Sequence, residues 1–258
     1  MTQLFAQQRH ELIIQKLNED KSIRASELME LFGVSFETIR RDLEYLESEG
    51  FLKRVHGGAI PKEPDYSKEI PLPLREAIYI EEKTELAGIA TRFVSEGMSI
   101  ALDVSTTNLQ IVKALKAKFE RLTIITNSLP IMNELIDIPG YTLIMIGGII
   151  RQAEQSIIGD LAEEFASRFH ADLFFMSLSG VTLEEGITDN AIGEVQVKKI
   201  MHANAKRTIA LTDSSKFEQL SLLKVCSCSE VECFVTDSKI SRRIVEKYRA
   251  QGIEIVFE

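Results

Sequence analysis

Four basic residues lie within one short stretch of the sequence and have the types and spacing of a nucleic-acid contact surface. Arg40 and Arg41 fall in SFETIRRDLEYLESEG, and Lys53 and Arg54 follow in FLKRVHGG. Arginine binds guanine O6 and N7 with two hydrogen bonds in the major groove, whereas cations beside the groove bind backbone phosphates. Two adjacent arginines are usually only a solvated helix face, so the surrounding elements decide between the two interpretations.

The stretch that contains the two arginines is predicted to be a helix beginning after Ser35. The Ser35 hydroxyl is a good acceptor for a free amide of the first turn, and Glu37 suits the positive end of the helix dipole. Ile39, Leu43 and Leu46 recur at spacings of four and three, which places them on one face. The apolar face is expected to pack inward, and the arginines are expected to point outward.

The elements predicted around this helix are typical of a winged helix-turn-helix. Gly50 suits the left-handed conformation that ends a helix. Residues 51–56 are predicted to form a strand that turns at Gly57-Gly58, and we call this strand and turn the wing. Upstream, residues 11–17 and 26–32 form two apolar-striped helices, the second close to the arginine helix. The last helix of such a unit enters the major groove and the wing lies along the phosphates. We therefore predict that double-stranded DNA is the partner.

The charge balance of the chain is acidic, which at first argues against a nucleic-acid partner. The 258 residues carry a formal net charge of −9, and residues 1–60 hold eight Lys and Arg against ten Asp and Glu. Within a Debye length of about 8 Å, however, nearby charges matter more than the whole-chain sum. Half of these basic residues fall on the predicted helix and wing, so we expect specific binding with little non-specific binding.

The sequence predicts no membrane segment, no metal site and no cofactor. No apolar run approaches the roughly 18 residues needed to cross a bilayer, and MTQLFAQQRH lacks the apolar core of a signal peptide. Cys226, Cys228 and Cys233 have no histidine nearby in sequence, and an odd number of cysteines argues against a disulfide framework. We expect a cytoplasmic protein with reduced, partly buried thiols.

The second half of the chain alternates short apolar segments with helical ones, which predicts a largely parallel sheet covered by helices. A proline-containing linker (61–73) separates this domain (74–258) from the winged helix-turn-helix (1–60), because proline fixes φ and removes a donor. One helical pattern runs over residues 74–94. Further strands are predicted at 99–103, 122–126, 141–146, 172–177, 208–212, 233–236 and 254–257, and helices at 108–118, 129–136, 161–169, 192–205 and 241–251.

Small and polar residues gather where the predicted strands end, which is where parallel sheets bind ligands. Hydroxyls and free amides at a helix N-terminus favour an anion, so phosphate is the natural ligand. Lys216 adds a cation after another strand. Glu194 and Lys198 lie one helical turn apart and belong either to this site or to an ordinary surface pair. The strand ends are Asp103-Val104-Ser105-Thr106-Thr107, Thr126-Asn127-Ser128, Gly147-Gly148 and Ser179-Gly180.

Both halves of the chain resemble the DeoR family of bacterial transcriptional regulators. The N-terminal motif consists of Val34-Ser35, Thr38-Ile39-Arg40-Arg41-Asp42-Leu43, Gly50 and Arg54-Val55-His56-Gly57-Gly58-Ala59. The C-terminal motifs are Thr126-Asn127-Ser128-Leu129, Gly147-Gly148, Gly159, Ala171-Asp172, Gly186-Ile187-Thr188, Glu194, Lys198, Met201 and Asp213-Ser214-Ser215-Lys216-Phe217. The resemblance therefore covers nearly the whole chain.

The resemblance implies a sensor domain that is similar in fold to ribose-5-phosphate isomerase and binds phosphorylated sugars or related metabolites. The ligand contacts that it implies are Asp103, Thr106, Thr107, Asn127, Gly148, Gly180 and Lys216. To these we add Ser105, Ser128, Glu194 and Lys198 from the strand ends and the helical pair. The predicted DNA-binding residues are Ser35, Glu37, Thr38, Arg40, Arg41, Lys53, Arg54, His56, Gly57 and Gly58.

The chain departs from the family pattern at two loops of the sensor domain. Ser105 stands where the family has glycine before the threonine pair, which restricts the loop to conformations without positive φ. The segment Ser177-Leu178-Ser179-Gly180 replaces Gly-Ala-Asp-Gly and lacks the acid. We therefore expect no isomerase-type acid–base chemistry and no catalytic residues.

These patterns predict a repressor of a sugar-utilisation operon whose operator binding is modulated by a sugar phosphate. A homo-oligomer is expected, because one reading helix per chain contacts too few base pairs for a specific site. Two alternatives remain. In the first, the chain is a sugar-phosphate isomerase with a DNA-binding appendage and uses Glu194, Asp213 and Lys216 as acid–base groups. In the second, it is a winged-helix module without a DNA partner. The outward arginines and the cationic wing argue against the latter.

Overall fold

The computed structural model describes residues 5–61 and 72–258, and the contacts divide the chain into two compact units. The first is Met1–Ile80 and the second is Glu81–Glu258. Most of the predicted linker, residues 62–71, lies outside the described residues. Each unit has its own apolar core, so each is described by itself.

The N-terminal unit is a set of helices packed on a small antiparallel sheet. Its helices are α1 (Ala6–Asp20), α2 (Ala25–Phe32), α3 (Phe36–Ser48) and α4 (Leu72–Ala77), and its strands are β1 (Ile23–Arg24), β2 (Leu52–Val55) and β3 (Gly58–Pro61). The sequence pattern explains α3 well. The Ser35 hydroxyl accepts a hydrogen bond from the Thr38 amide at 3.3 Å, and Ile39, Leu43 and Leu46 are buried as predicted.

Strand β1 was not predicted, and it extends the wing into a sheet of order β1-β3-β2. It has only two residues, too few for an alternating pattern to be visible. Gly58 explains how β1 approaches β3, because a Cβ atom added at Gly58 would lie 2.0 Å from the Ile23 carbonyl oxygen. Glycine at this position therefore permits the pairing of the two strands.

The C-terminal unit is built around a parallel sheet of strand order β15-β14-β12-β9-β4-β5-β6. The seven predicted strands after residue 98 are all members of this sheet, so the predicted α/β architecture is confirmed. Its elements are α5 (Ile80–Ala90), β4 (Ser99–Leu102), α6 (Thr106–Lys116), β5 (Thr123–Thr126), α7 (Leu129–Leu135), β6 (Thr142–Met145), β7 (Ile149–Arg151), β8 (Ser156–Ile158), α8 (Asp160–Ala166), β9 (Leu173–Ser177), β10 (Gly180–Thr182), β11 (Gly186–Asp189), α9 (Ile192–Ala203), β12 (Thr208–Leu211), β13 (Leu223–Cys226), β14 (Cys233–Val235), α10 (Arg242–Arg249) and β15 (Ile255–Val256).

The single helical pattern predicted over residues 74–94 is wrong in detail. The structure divides it into α4 and α5, followed by a 3-10 turn at Thr91–Phe93. Tyr79, between the two helices, has φ of 54°, and an L-residue in this left-handed conformation interrupts an α-helix. The division of the chain into units also falls here, between Ile80 and Glu81.

Antiparallel pairs add to the parallel sheet and were missed by the sequence reading. Strands β7 and β8 form a hairpin, and β10, β11 and β13 form a second small sheet. Each has only three or four residues, so periodicity does not separate it from a loop. These additions matter for function, because both follow strands of the parallel sheet at its carboxyl edge.

Apolar clusters cover both faces of the parallel sheet. In β9, Phe174 and Met176 belong to one cluster, whereas Leu173 and Phe175 belong to the other. This alternation is the period-two pattern of a strand buried on both sides.

The three cysteines are free and buried. In the parts of the chain that the structure describes, no helix is long and apolar enough to cross a membrane, and no group of acidic, His or Cys side chains is placed to hold a metal ion.

Candidate DNA-binding surface and effector site

The exposed face of α3 carries the arginines singled out in the sequence. The Arg41 side chain is 75% exposed and that of Arg40 is 43% exposed. Phe36, Arg40 and Leu43 on α3 line a groove together with the wing residues from Arg54 to Gly58. The helix and the wing therefore form one concave surface of positive and apolar side chains.

The arginines on this surface, on both α3 and the wing, are paired with carboxylates of α3. Arg40 donates from Nε and Nη2 to Glu37 at 2.9 and 2.8 Å. Glu44 accepts hydrogen bonds from both Arg40 and Arg54, the latter at 2.9 Å. Arg54 also donates from Nε to Glu47 at 2.8 Å, so the wing is tied to α3 by ion pairs. Sequence reasoning did not find this network, although the acids are spaced one helical turn from the arginines.

The ion pairs leave the surface nearly neutral. The hydrogen bond between Arg40 and Glu37 lowers the pKa of Glu37 to about 2. The same hydrogen bond raises the pKa of Arg40. Arg41 also donates to Glu37, at 3.1 Å. Lys53 is exposed, and the described residues provide it with no ion pair. An anion that approached this surface would therefore compete with carboxylates for Arg40 and Arg54, but not for Lys53.

The glycines at the wing tip shape the backbone. Gly57 has φ of +80°, and its carbonyl oxygen accepts a hydrogen bond from the Ala25 amide at 2.8 Å. Gly58 is buried against Ile23, whereas His56 is exposed beside them. Of these predicted DNA-binding residues, His56 presents a side chain to solvent, and Gly57 and Gly58 define the turn.

A buried ion pair, which the sequence did not reveal, joins α1 to α3. Arg9 donates from Nε and Nη2 to the two carboxylate oxygens of Asp42, at 2.7 and 3.0 Å. His10 Nε2 lies 3.0 Å from Asp42, and the His10 ring stacks on Tyr45. Asp42 is adjacent to Arg41 in the sequence but faces inward, so it orients the helix from behind.

The predicted effector residues gather at the carboxyl edge of the parallel sheet. Strands β12, β9, β4 and β5 are neighbours in the sheet, so the segments that follow them share one edge. Ser105 caps α6, and its hydroxyl accepts a hydrogen bond from the Asn108 amide at 2.9 Å. Thr106 and Thr107 form the first turn of α6, where backbone amides have no intrahelical acceptor. This turn is a ready anion site.

A buried ion triad lies behind that turn. Lys198 on α9 is 2% exposed, and its ammonium group lies 3.0 Å from Asp103 and pairs with Asp189. It also donates to the carbonyl oxygen of Ser177 at 2.8 Å. The Asp103 carboxylate accepts further hydrogen bonds from the Ser177 amide and from Asn108. Protein donors and acceptors therefore occupy both Asp103 and Lys198.

Burial and charge act in opposite directions within the triad. Burial would lower the pKa of Lys198, but Asp103 and Asp189 together raise it, so Lys198 is charged. Burial raises the pKa of Asp103 despite Lys198. Burial acts on Asp189 as well, but Lys198 and Ser179 outweigh it and lower the Asp189 pKa. Asp189 was not predicted, because it is the last residue of the unpredicted strand β11.

Glu194 and Lys198 do not form the surface pair that their spacing allowed. Both side chains are buried and each has other partners. Glu194 Oε1 accepts hydrogen bonds from Arg151 at 3.0 Å and from Ser156 at 2.6 Å. The carboxylate therefore joins α9 to the β7–β8 hairpin.

The remaining predicted residues lie around the same edge. Lys216 donates to the Leu178 carbonyl oxygen at 3.0 Å and lies 3.6 Å from Asp213, which brings the loop after β12 to the loop after β9. Asn127 donates to the Ile157 carbonyl oxygen at 3.1 Å, and Ser128 caps α7. Gly148 and Gly180 permit close packing. A Cβ atom added at Gly148 would lie 2.8 Å from the Ile158 carbonyl oxygen, and one added at Gly180 would lie 2.5 Å from the Gln219 carbonyl oxygen.

Buried acceptor atoms at this edge have no hydrogen-bond donor. Among the described residues these include Oδ1 of Asn108, Oδ1 of Asn127, Oε2 of Glu194 and Oδ2 of Asp213. An unpaired buried polar atom costs about 1–3 kcal/mol, so each of these acceptors favours a donor, either a bound water or a ligand. Hydroxyl groups are donors of this kind.

Comparison with known proteins assigns both units. The family model of the DeoR-like helix-turn-helix domain matches residues 9–64, and that of the DeoR C-terminal sensor domain matches residues 78–238. The chain belongs to the DeoR family. This DeoR-family protein is therefore a DNA-binding transcriptional regulator, and the resemblance inferred from its motifs is confirmed.

Curated relatives span nearly the whole of this DeoR-family chain. The HTH-type transcriptional regulator GolR of Listeria innocua is 34% identical over 98% of each chain. The putative aga operon transcriptional repressor of Escherichia coli is 32% identical over 96% of this chain and 93% of its own. The glycerol-3-phosphate regulon repressor of Escherichia coli is 31% identical over 90% of each chain. Among solved structures, ribose 5-phosphate isomerase A of Methanocaldococcus jannaschii gives a TM-score of 0.41 at 17% identity, over 54% of this chain and 55% of its own, which is too distant to bear on function.

Proposed function

We propose that this DeoR-family regulator is a cytoplasmic repressor of a sugar-utilisation operon that responds to a phosphorylated sugar. The relatives named as repressors of the aga operon and of the glycerol-3-phosphate regulon support a repressor of carbohydrate genes. The unpaired buried acceptors at the carboxyl edge of the sensor sheet carry the proposal for the effector.

The proposed effector pose divides the site into a phosphate end and a sugar end. The first-turn amides and hydroxyls of Ser105, Thr106 and Thr107 hold the phosphate, with Lys216 as the cation. The sugar hydroxyls donate to Asn127 and to the other unpaired acceptors at the edge. Ser128 and Gly148 border the sugar, Glu194 contacts it through its unpaired oxygen, and Asp103, Gly180 and Lys198 position the loops.

We propose that this edge binds its ligand without catalysing a reaction. An isomerase needs an acid and a base that are free to exchange protons with the substrate. Lys216, one of the candidate acid–base groups, instead donates to a backbone carbonyl oxygen. The loop after β9 has Ser179 where the family pattern has an acid.

On the DNA side, we propose that α3 enters the major groove with Arg40 and Arg41 directed at base edges. Ser35, Thr38 and Glu37 fix the start of the helix, and the wing places its cations on phosphates. Two such helices related by a two-fold axis contact a palindromic operator, so the regulator acts as a homo-oligomer.

Substitution of the arginines tests the DNA proposal. Arg40→Ala and Arg41→Ala are each expected to weaken binding to an operator selected from a random duplex library by about 1–3 kcal/mol and to relax selectivity at one base position. Footprinting titrations measure both effects, with Arg168→Ala, an exposed arginine of the sensor unit, as the control. Unchanged affinity and selectivity in both variants would refute the assignment of α3.

A further inference from the structure

An exposed apolar surface surrounds the β7–β8 hairpin of the C-terminal unit. Ile149 on β7 is 66% exposed, Leu161 at the start of α8 is 69% exposed and Ile192 at the start of α9 is 66% exposed. We call these three residues the hairpin patch. Single exposed aliphatic residues are ordinary, but a contiguous group of them marks an interaction site.

The backbone segments that carry the hairpin patch are neighbours in space. A Cβ atom added at Gly159, which caps α8, would lie 3.4 Å from Cδ1 of Ile149. A Cβ atom added at Gly193, the residue after Ile192, would lie 2.7 Å from Cδ1 of Ile158. Ile158 pairs with Ile149 across the hairpin. The starts of α8 and α9 therefore flank one face of the hairpin.

The hairpin also presents an open strand edge beside the patch. On its inner side, β8 is held by the loop after β5, where the Ile157 amide donates to the Asn127 carbonyl oxygen at 2.8 Å. On its outer side, β7 pairs with no other strand of the described residues. Ile150, in the middle of β7, is 54% exposed. An exposed apolar edge strand is a template for pairing with another chain.

We infer that the hairpin patch is the contact surface between two copies of this chain, with their β7 edges facing each other across a two-fold axis. The inference rests on the proposed homo-oligomer and names its surface. A strand that pairs antiparallel with its own copy is self-complementary, so a single open edge is sufficient for a closed dimer. The same symmetry suits two reading helices on a palindromic operator.

The size of the surface matches a second copy of the chain. The exposed fractions of the hairpin patch and Ile150 correspond to roughly 400–500 Å² of aliphatic area, similar to the apolar part of one side of a standard interface of about 800 Å² per partner. A patch of this size lies within the range of about 300–600 Å² that is typical of the largest apolar patch on a monomer, and such patches are often functional.

The same hairpin also contacts the proposed effector site. Arg151 at the end of β7 and Ser156 at the start of β8 both donate to Glu194. The unpaired oxygen of Glu194 is one of the acceptors assigned to the sugar. A ligand that binds Glu194 therefore acts on the element that forms the interface.

Light scattering on the full-length protein tests the surface. Ile149→Asp places a charge in the patch and is expected to reduce the molar mass of the assembly to half. The matched control is Ile136→Asp, because Ile136 is 63% exposed at the end of α7, outside the patch, and its mass should equal that of the wild type. Circular dichroism shows whether each variant folds.

A cysteine variant gives an independent measurement. The natural cysteines are buried, so Ile149→Cys under mild oxidation should form a disulfide-linked dimer, and Ile136→Cys should not. A wild-type protein that is monomeric both free and on its operator would overturn the homo-oligomer and this surface with it. A wild-type oligomer whose mass is unchanged by Ile149→Asp, with no Ile149→Cys dimer, would overturn this surface alone. If Ile149→Asp does not fold, the cysteine result decides.

Discussion

Glu44 is the residue shared by the two halves of the DNA-binding surface. It accepts hydrogen bonds from Arg40 of the helix and from Arg54 of the wing, so one carboxylate neutralises both the cation proposed to contact bases and the cation proposed to contact phosphates. Non-specific DNA offers phosphates only, and these must displace the carboxylate without the gain of base contacts. Glu44 is therefore expected to favour specific over non-specific binding.

The variant Glu44→Gln tests this role. It removes a negative charge that faces the DNA and releases both arginines, so affinity for random duplex DNA should rise about tenfold at low salt, with a smaller change at the operator. Fluorescence anisotropy titrations with both duplexes measure the ratio. Glu164→Gln, which makes the same charge change in an exposed pair of the sensor unit, serves as the control. An unchanged ratio for Glu44→Gln would show that the network has no role in specificity.

The two lysines of the sensor unit are predicted to have different roles. Lys198 is enclosed between Asp103 and Asp189, so Lys198→Met leaves the buried Asp103 and the partly exposed Asp189 without their cation and should lower the free energy of unfolding by about 3–5 kcal/mol. Lys216 donates to one backbone carbonyl oxygen and lies 3.6 Å from the buried Asp213, so Lys216→Met removes weaker contacts and should cost about 1–3 kcal/mol. Calorimetric melting of both variants measures the difference. Equal melting temperatures would contradict the structural role of Lys198.

Individual site residues were predictable from the sequence, but their partners were not. Ser105 and the threonine pair could be placed because a strand followed by hydroxyl residues and a helix is a local pattern. The triad joins residues from three separate elements, and its third member, Asp189, ends a strand too short to predict. Glu194 and Lys198 show the same limit, because their helical spacing suggested a pair while tertiary contacts gave each a different partner.

At the level of elements, the wing is predicted to act on DNA phosphates. Lys53 and Arg54 lie on β2, where cations bind the backbone and carry no direct sequence code. Replacement of either by Gln should lower affinity for all duplexes alike, and the slope of log affinity against log salt should become shallower by about 0.9 for each phosphate that the variant no longer neutralises. Lys113→Gln, on the exposed side of α6, is the charge-matched control. A slope equal to that of the wild type would remove the wing from the contact surface.

Elements with strong periodicity or clear caps were predictable, and short antiparallel strands were not. The parallel strands and their helices follow from apolar runs. In the structure, Ser128 and Ser241 cap two of these helices by accepting an amide hydrogen bond. The β7–β8 hairpin contains polar and glycine-flanked residues that read as a loop. Because the hairpin was not predicted, the exposed apolar surface around it was not predicted either. The direction of a side chain cannot be inferred from the sequence when its residue is assigned to a loop.

At the scale of the whole molecule, the chain combines a DNA-reading unit with a sensor unit, each with its own core. The family models match these units separately, and the relatives align across both. The order of the two domains was predictable from motif and composition, whereas the identity of the effector depends on a three-dimensional arrangement of acceptors that no linear pattern specifies. Regulation requires that effector binding change the affinity for DNA, which is a coupling of free energies between two sites.

The most direct test is an operator titration of the full-length protein with a panel of phosphorylated sugars and the corresponding free sugars. One sugar phosphate is expected to shift operator affinity by about tenfold or more, a coupling of about 1.4 kcal/mol, while its free sugar has no effect. The variants Thr106→Val and Lys216→Met should bind the operator normally and lose this response. A free sugar as effective as its phosphate, or a normal response in Lys216→Met, would contradict the assignment of the carboxyl edge as a sugar-phosphate sensor.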